Sequence, residues 1–423
     1  MSDPQPARRV ILAEVSLIDG IGTAVRRDAY VAVADGRIVN LGGLDELWAR
    51  SGDVVYRLPG MIVMPGLIDT HLHLYATGSF GEEIAPPPKH RADSLQLIAV
   101  GNLQAHVEVG FTTVRDTGSA NAPVWALRYA ACHGLFLAPR IVACGKVLTI
   151  TGGHGTEYGI DMAWECDGAA DLVKGVRRQR HEGADFVKVI ASRLSPDGRR
   201  SIPSWPVEGL AAAVGEAHAL GMKVSAHVMG AEAMDVALRA GVDSLEHGWG
   251  GTDDVWARAA EARVFLVPTL SVLYKKEKYE AEGRPPWPPT FDLHFGTLAQ
   301  RFEECLAAQE AGVPIALGTD AANPGVYHGE GAIELGLLVR AGLSPLEAIA
   351  AGTSRAARLC GIDGEVGSIE AGKLADLLVV RGDPSEDIGI LTNPENVVGV
   401  MKAGQFVKGE RFLAPFREPV GTA

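Results

Sequence analysis

The stretch MPGLIDTHLHL, Met64 to Leu74, decides how the rest of the chain is read. An apolar run ends in two histidines, His71 and His73, one residue apart. On a β-strand, residues i and i+2 share a face. Two imidazoles then project together from the C-terminal tip of a buried strand. They are either satisfied core histidines or two arms of a clamp for one divalent ion, and the company they keep must choose.

Downstream, short apolar segments alternate with Ala/Leu/Glu-rich stretches. Counting the opening one, there are eight strand candidates: MPGLIDTHLHL, FTTVRDTG, RIVACG, FVKVIAS, KVSAHV, DSLEHG, VFLVPTL and PIALGTDA. Helical patterns such as SLQLIAVGNLQAHVEVG and VEGLAAAVGEAHALG separate most of them. A further one, SPLEAIAAGTSRAARLCG, opens with Ser344 as N-cap, Pro345 at N1 and Glu347 at N3, a capping-box start. Eight strands with helical crossovers predict an α/β chain built on a (β/α)8 TIM barrel over residues 65–365. A doubly wound open sheet is the alternative, but no GxGxxG follows the first strand.

The two ends resemble each other. AYVAVADGRIVNLG alternates around Asp35-Gly36, and VVGVMKAGQFVKG around Ala403-Gly404, both hairpin signals. VVYRLPGMIVMPG and GSIEAGKLADLLVV are strand-like with glycine punctuation. A small β-sandwich domain formed by both termini, residues 1–64 and 366–423, is expected.

Two loops stand out, YATGSFGEEIAPPPKH after the first strand and EGRPPWPPTFDLHFG after the seventh. Both follow C-terminal strand ends, where barrels keep their sites. They are either caps over a pocket or stiff surface connections.

The 423 residues are 47% hydrophobic and 22% charged, a globular balance. The net charge of −13 argues against nucleic acid or an anionic membrane as partner. The first twenty residues carry no signal-peptide pattern, and no apolar run reaches the ~20 residues of a membrane span. Five cysteines without CxxC spacing fit a reducing cytosol and free thiols. The expectation is a cytoplasmic protein acting on a small molecule, with a homo-oligomer compatible but not demanded.

Three more candidates for the rim come from later strand tips: His227 in SAHV, His247 in SLEHG and Asp320 in ALGTDA. Four imidazoles and a carboxylate converging without an ion would be costly. With a Zn2+-like ion they are ligands. Lys188, in DFVKVIAS, lies inside a buried strand, where an ammonium needs a partner. Either it pairs with Asp185 or Glu246, or it is carboxylated by CO2 and presents two oxygens that could bridge two ions.

The set His71, His73, Lys188, His227, His247 and Asp320 resembles the binuclear metal site of the amidohydrolase superfamily. MPGLIDTHLHL, TTVRDTG, TGGHG, DFVKVIAS, SLEHG, ALGTDA and IEAGKLADLLVV carry the likeness through nearly the whole chain. The branch it is most similar to holds the Xaa-Pro dipeptidase-like, imidazolonepropionase-related and ochratoxin-type amidohydrolases. The resemblance implies a barrel with a β-sandwich, two divalent ions of the Zn2+ type and a carboxylated lysine. In that pattern His71, His73 and Asp320 hold the buried ion, His227 and His247 the outer one, and Lys188 bridges them. Related one-metal deaminases carry a glutamate three residues after the strand-five histidine; here that position is Gly230, which favours hydrolysis.

The ligand set implies hydrolysis by a metal-bridging hydroxide, with Asp320 as proton shuttle to the leaving group. His154, in TITGGHGTE, is expected at the substrate, steadying its carbonyl oxygen or a carboxylate. Tyr327 and His328, just past Asp320, are further candidates to meet substrate, or belong to a surface loop. Arg193, Arg199 and Arg200 could receive a carboxylate or face only water. Asp116 reads as a structural acceptor and Asp69 as support for the ligands. Two departures from the dipeptidase-like pattern fall where substrate would sit: Val228 replaces a tyrosine after His227, and Ala191, Ser192, Arg193, Leu194 replace ASGG. An amide of peptide-like or N-acyl amino acid type is the first substrate class; cyclic amides, carbamates or esters are the second. A non-catalytic ligand-binding barrel would show a broken ligand set, and all six positions are filled.

Overall fold

Asp35 and Gly36 adopt φ of 49° and 80°, the left-handed pair that a two-residue primed turn requires. They join the strands Arg26–Ala34 and Arg37–Gly43. Ala403 and Gly404, at 45° and 79°, do the same for Val397–Lys402 and Gln405–Lys408. The computed structural model describes residues 8–22, 24–79, 91–157, 161–283 and 296–418. In it the two turns meet, and a Cβ on Gly404 would collide with the Gly36 backbone. Ala375 N–H donates to Gly36 O at 2.9 Å, and Gly404 N–H donates to Ala375 O at 3.0 Å.

Both chain ends therefore share one nine-stranded sheet. Its order runs Gln405–Lys408, Val397–Lys402, Leu377–Arg381, Met61–Pro65, Val10–Leu17, Arg26–Ala34, Arg37–Gly43. Val54–Arg57 also pairs with Val10–Leu17, and Arg417–Glu418 pairs with it in turn. Leu12, Val31, Val63, Leu377 and Val379, drawn from across this sheet, pack into one apolar cluster. Of the expected strand GSIEAGKLADLLVV only Leu377–Arg381 is one. The residues before it turn at Gly367 and Gly372, with φ of 94° and 93°.

The decisive stretch breaks at Gly66. Met61–Pro65 belongs to the terminal sheet, and Leu67–Leu72 opens a second, parallel set. A side chain at 66 would overlap Thr112, so glycine permits the crossing. Leu67–Leu72, Phe111–Asp116 and Arg140–Ala143 form a three-stranded parallel sheet. Ala163–Glu165, Val147–Thr149, Phe186–Ile190, Lys223–Val228, Ser244–His247 and Phe265–Val267 form a six-stranded one. Its pairs are parallel, as alternation with helices such as Arg91–Glu108 and Val207–Ala219 requires.

The expected eighth strand, PIALGTDA, is not a continuous strand. It makes single bridges, Ile315 to Leu266 and Ala321 to Leu72. Backbone bonds tie it to both neighbours: Ala316 N–H to Leu266 O at 3.0 Å, and Asp320 N–H to His71 O at 2.7 Å. Asp320 itself is left-handed, at φ 58°, which breaks strand geometry. The expected helix over 344–361 is two, Pro345–Ala351 and Ser354–Cys360. The Ser344 capping box is present, and the break comes at Thr353, whose hydroxyl donates to Ile349 O at 2.6 Å.

All five cysteines are free thiols. Among the described residues no helix is long and apolar enough to cross a membrane. The Pro-rich parts of the two loops, 80–90 and 284–295, lie outside the described residues.

Glu334 anchors the last part of this frame. Fully buried, it accepts from Leu270 N–H at 2.8 Å, Ser271 N–H at 2.7 Å and the Ser271 hydroxyl at 2.6 Å. It thus closes the N-terminus of the helix Leu270–Ala281. Burial pushes its carboxyl up to about 7 from 4.5, against these hydrogen bonds. The folded protein then holds a proton that the unfolded chain releases above pH 4.5. That contribution is complete below 4.5 and is lost as pH rises through 7. Relative to Glu334→Gln, the parent should lose about 2–3 kcal/mol of stability across that window, read by urea unfolding at several pH values. A difference that does not vary with pH would contradict it.

Candidate metal centre

The residues singled out at the strand tips do meet. His71 Nε2 lies 3.6 Å, and His73 Nε2 3.3 Å, from the same oxygen, Oδ1 of Asp320. One ligand atom from each of the three lies within 4.8 Å of the others. The tautomers sharpen the point. His71 Nδ1 sits 2.7 Å from the Glu246 carboxylate and His73 Nδ1 3.2 Å from Gly118 O, both acceptors. Each Nδ1 must therefore carry the hydrogen, and each Nε2 turns a lone pair toward a carboxylate. Three acceptors facing one another need a positive charge between them, a proton or a cation.

Next to this trio, His247 Nε2 lies 2.9 Å from His227 Nδ1. The His71 and His247 rings are 5.0 Å apart, centroid to centroid. His247 Nδ1 is held by the Thr269 hydroxyl at 2.8 Å. His247 and Thr269 are left-handed, at φ 67° and 49°. Such strain in residues other than glycine persists only where the surroundings impose it. It also breaks the strand's alternation, so that Glu246 and its neighbour His247 both serve the interior.

Burial and the Lys188 charge press the His71 pKa down to about 4. His227 and His247 lie well below their usual range, first through burial and then through neighbouring cationic groups. Burial opposes ionisation of Asp320, but the surrounding imidazoles outweigh it and hold the carboxyl well below its usual range. At neutral pH these four are neutral imidazoles and a carboxylate, the forms that ligate a metal. His73 is displaced upward: burial alone would lower it, and Asp320 reverses that.

Lys188 is 2% exposed, and its Nζ has no hydrogen-bond partner among the described residues. Glu246 attracts the Lys188 charge, but neither expected carboxylate forms a hydrogen bond or close ion pair with it. Asp185 is engaged by Arg128 at 2.6 Å. Glu246 is saturated by Arg115 at 2.7 Å, Ser225 at 2.7 Å, Ser244 at 2.6 Å and His71. Burial brings the Lys188 pKa down to about 8. An orphaned amine amid neutral imidazoles, a carboxylate and lone pairs that face inward is a donor set that fits divalent cations.

The remaining candidates divide. The His154 ring lies 4.8 Å from that of His227, tilted 31° to it, with Nδ1 on Glu157 at 2.7 Å. His328 turns both ring nitrogens to the protein, to His106 at 3.0 Å and to Ala76 O at 3.1 Å. Tyr327 has the Lys275 ammonium 5.8 Å from its ring centre. Arg193, Arg199 and Arg200 are exposed on the hairpin of Ser192–Leu194 and Ser201–Pro203. Asp69 accepts from the Thr319 hydroxyl at 2.6 Å and from His71 N–H at 3.1 Å, clamping the two ligand-bearing segments together. Asp116 accepts from the Ser119 hydroxyl and from Leu74 N–H.

Sequence reasoning passed over Arg115, and treated Glu246 only as a partner for Lys188. Their signal was a charge inside a strand candidate, where an ion needs a partner.

A model of the amidohydrolase family matches residues 62–407. The chain belongs to that family. It is 30% identical to an ochratoxinase of Aspergillus niger over 95% of this chain and 87% of the relative. It is 26% identical to an imidazolonepropionase of Streptococcus sanguinis over 84% of each. Among solved structures, a Xaa-Pro dipeptidase with bound methionine superimposes with a TM-score of 0.83 at 29% identity, covering 95% of this chain and all of that one.

Because Glu246 is wholly buried, removing its counter-charge is expensive. Arg115→Met should cost about 3–5 kcal/mol in urea unfolding. Adding Glu246→Gln to it should return at least half of that loss. Additive losses would show that the two groups are not coupled.

Proposed function

We propose that this chain is a metal-dependent hydrolase that cleaves an amide bond in a small molecule, of peptide-like or N-acyl amino acid type. The observation that carries the reading is Lys188: a buried amine without a hydrogen bond, among neutral histidines and an ionised aspartate. The activities for which the ochratoxinase and the Xaa-Pro dipeptidase are named support the same class.

The parallel strands and the bridging segment 315–321 are read as one (β/α)8 barrel over residues 65–365. Residues 1–64 and 366–423 are read as a β-sandwich beside it. His71, His73 and Asp320 would hold one divalent ion, His227 and His247 a second, both of the Zn2+ type. Lys188, once its neutral amine has added CO2 and released a proton, would offer an oxygen to each. When bound, such ions polarise a carbonyl and lower the pKa of water. Asp320 takes the proton from water and returns it to the leaving amine. Asn323 Nδ2, 3.0 Å from Asp320 Oδ2, holds that carboxylate in position. His154, beside His227 and fixed by Glu157, steadies the substrate oxygen, and Tyr327 lines the approach.

Val228 is completely buried and offers no phenol to a substrate carboxylate. That observation favours keeping a second reading, cyclic amides, carbamates or esters, and a panel of N-acyl amino acids, dipeptides, lactams and esters separates the two. Elemental analysis should find about two ions per chain in the parent and a marked loss in Lys188→Ala. A full complement in the variant would remove the lysine from the site. Asp320→Asn should lower amide turnover at least about a hundredfold while thermal unfolding stays near the parent's. Turnover near the parent's value would exclude Asp320 as proton carrier.

A further inference from the structure

A cavity of about 310 Å³ opens at the end of the parallel strands away from the histidine cluster. Phe186 and Lys223, the first residues of Phe186–Ile190 and Lys223–Val228, line it. Four residue steps, about 13 Å at the usual rise, separate Lys223 from His227 on the same strand.

The inner wall carries Arg115, whose side chain is 3% exposed. Its Nε donates to Thr70 O and its Nη2 to Glu246 at 2.7 Å. Nη1 has no acceptor among the described residues, so a buried guanidinium reaches the cavity with one nitrogen unengaged. Lys223 Nζ donates to the carbonyl oxygens of Arg358 and Leu359 and forms no ion pair among the described residues. Arg180, at the mouth, likewise forms none. The one carboxylate on the wall, Asp185, is neutralised by Arg128 at 2.6 Å. Glu246 offsets Arg115. Lys223 also lies in the field of Asp243 and Asp363, and Arg180 in that of Asp185. On the wall itself three cationic side chains stand against one carboxylate, over apolar walls of Phe186, Met222 and Leu359.

We infer that this cavity is a binding site for a small organic anion, a carboxylate with an apolar body. Its acid group would meet Lys223, Arg180 and Arg115 Nη1, and its body would rest on the apolar wall. The site stands apart from the hydrolytic reading. Under that reading, the acid released by amide cleavage belongs to the same chemical class.

Calorimetry on the full, metal-loaded chain tests this with benzoate as the probe and benzamide as its neutral counterpart. Benzoate should bind saturably, and benzamide at least tenfold more weakly. Lys223→Met should weaken benzoate at least tenfold, and the exposed Arg180→Ala several-fold. Leu220→Trp, which fills the cavity from its rim, should abolish it. None of these positions touches the histidine cluster. Benzoate binding unchanged in all three variants would place it at the metal centre and overturn the inference. So would equal affinity for benzamide, or no saturable binding.

Discussion

A carboxylate with no exposed surface, Glu246, sets the geometry on which the histidine cluster depends. It lies between Arg115 and His71 and also accepts from Ser225 and Ser244. Burial alone would raise its pKa, but Arg115, Lys188 and His71 outweigh that and keep it ionised. An ionised carboxylate accepts only, so His71 must present hydrogen at Nδ1 and a lone pair at Nε2. The orientation of the His71 ring thus comes from a network spread over four strands rather than from the residue itself. Such support commonly governs both the tautomer and the basicity of a metal ligand.

The same economy recurs around the rim. Thr269 holds His247, Gly118 O holds His73, Asn323 holds Asp320 and Glu157 holds His154. Left-handed backbone occurs at His247, Thr269 and Asp320, where His247 and Asp320 turn inward. Lys188 is the exception. Every other polar group of the cluster has a protein partner, and its amine does not. An unpaired buried donor is costly, and a ligand role accounts for its presence.

Much of this was legible in the residues. The HxH spacing, the histidines at strand tips, the buried lysine and the Ser344 cap all follow from periodicity and residue chemistry; the structure brings His71, His73 and Asp320 together and shows the cap in place. The hairpins at Asp35-Gly36 and Ala403-Gly404 were equally plain, because those turns need left-handed residues. Other features depend on contacts between distant segments. Gly66 splits one apolar run into two strands because Thr112 approaches it, and nothing nearby in sequence announces Thr112. The segment 314–321 looks like a strand, yet Asp320 bends it to reach His71. Thr353 divides a well-patterned helix by turning its hydroxyl back on Ile349. Arg115 and Glu246 stand out as charges inside strand candidates, but their pairing across the interior appears only in three dimensions.

The parallel strands therefore have two unlike ends: ligands, strain and an orphaned amine at one, and a cation-lined cavity at the other. The central claim is that six side chains cage two cations. Anomalous diffraction at the zinc absorption edge, from crystals of the protein as purified, tests it most directly. The account predicts two peaks, one against His71, His73 and Asp320 and one against His227 and His247, with forked density extending from Lys188 between them. No peak at this cluster, with Lys188 ending in a bare amine, would contradict it.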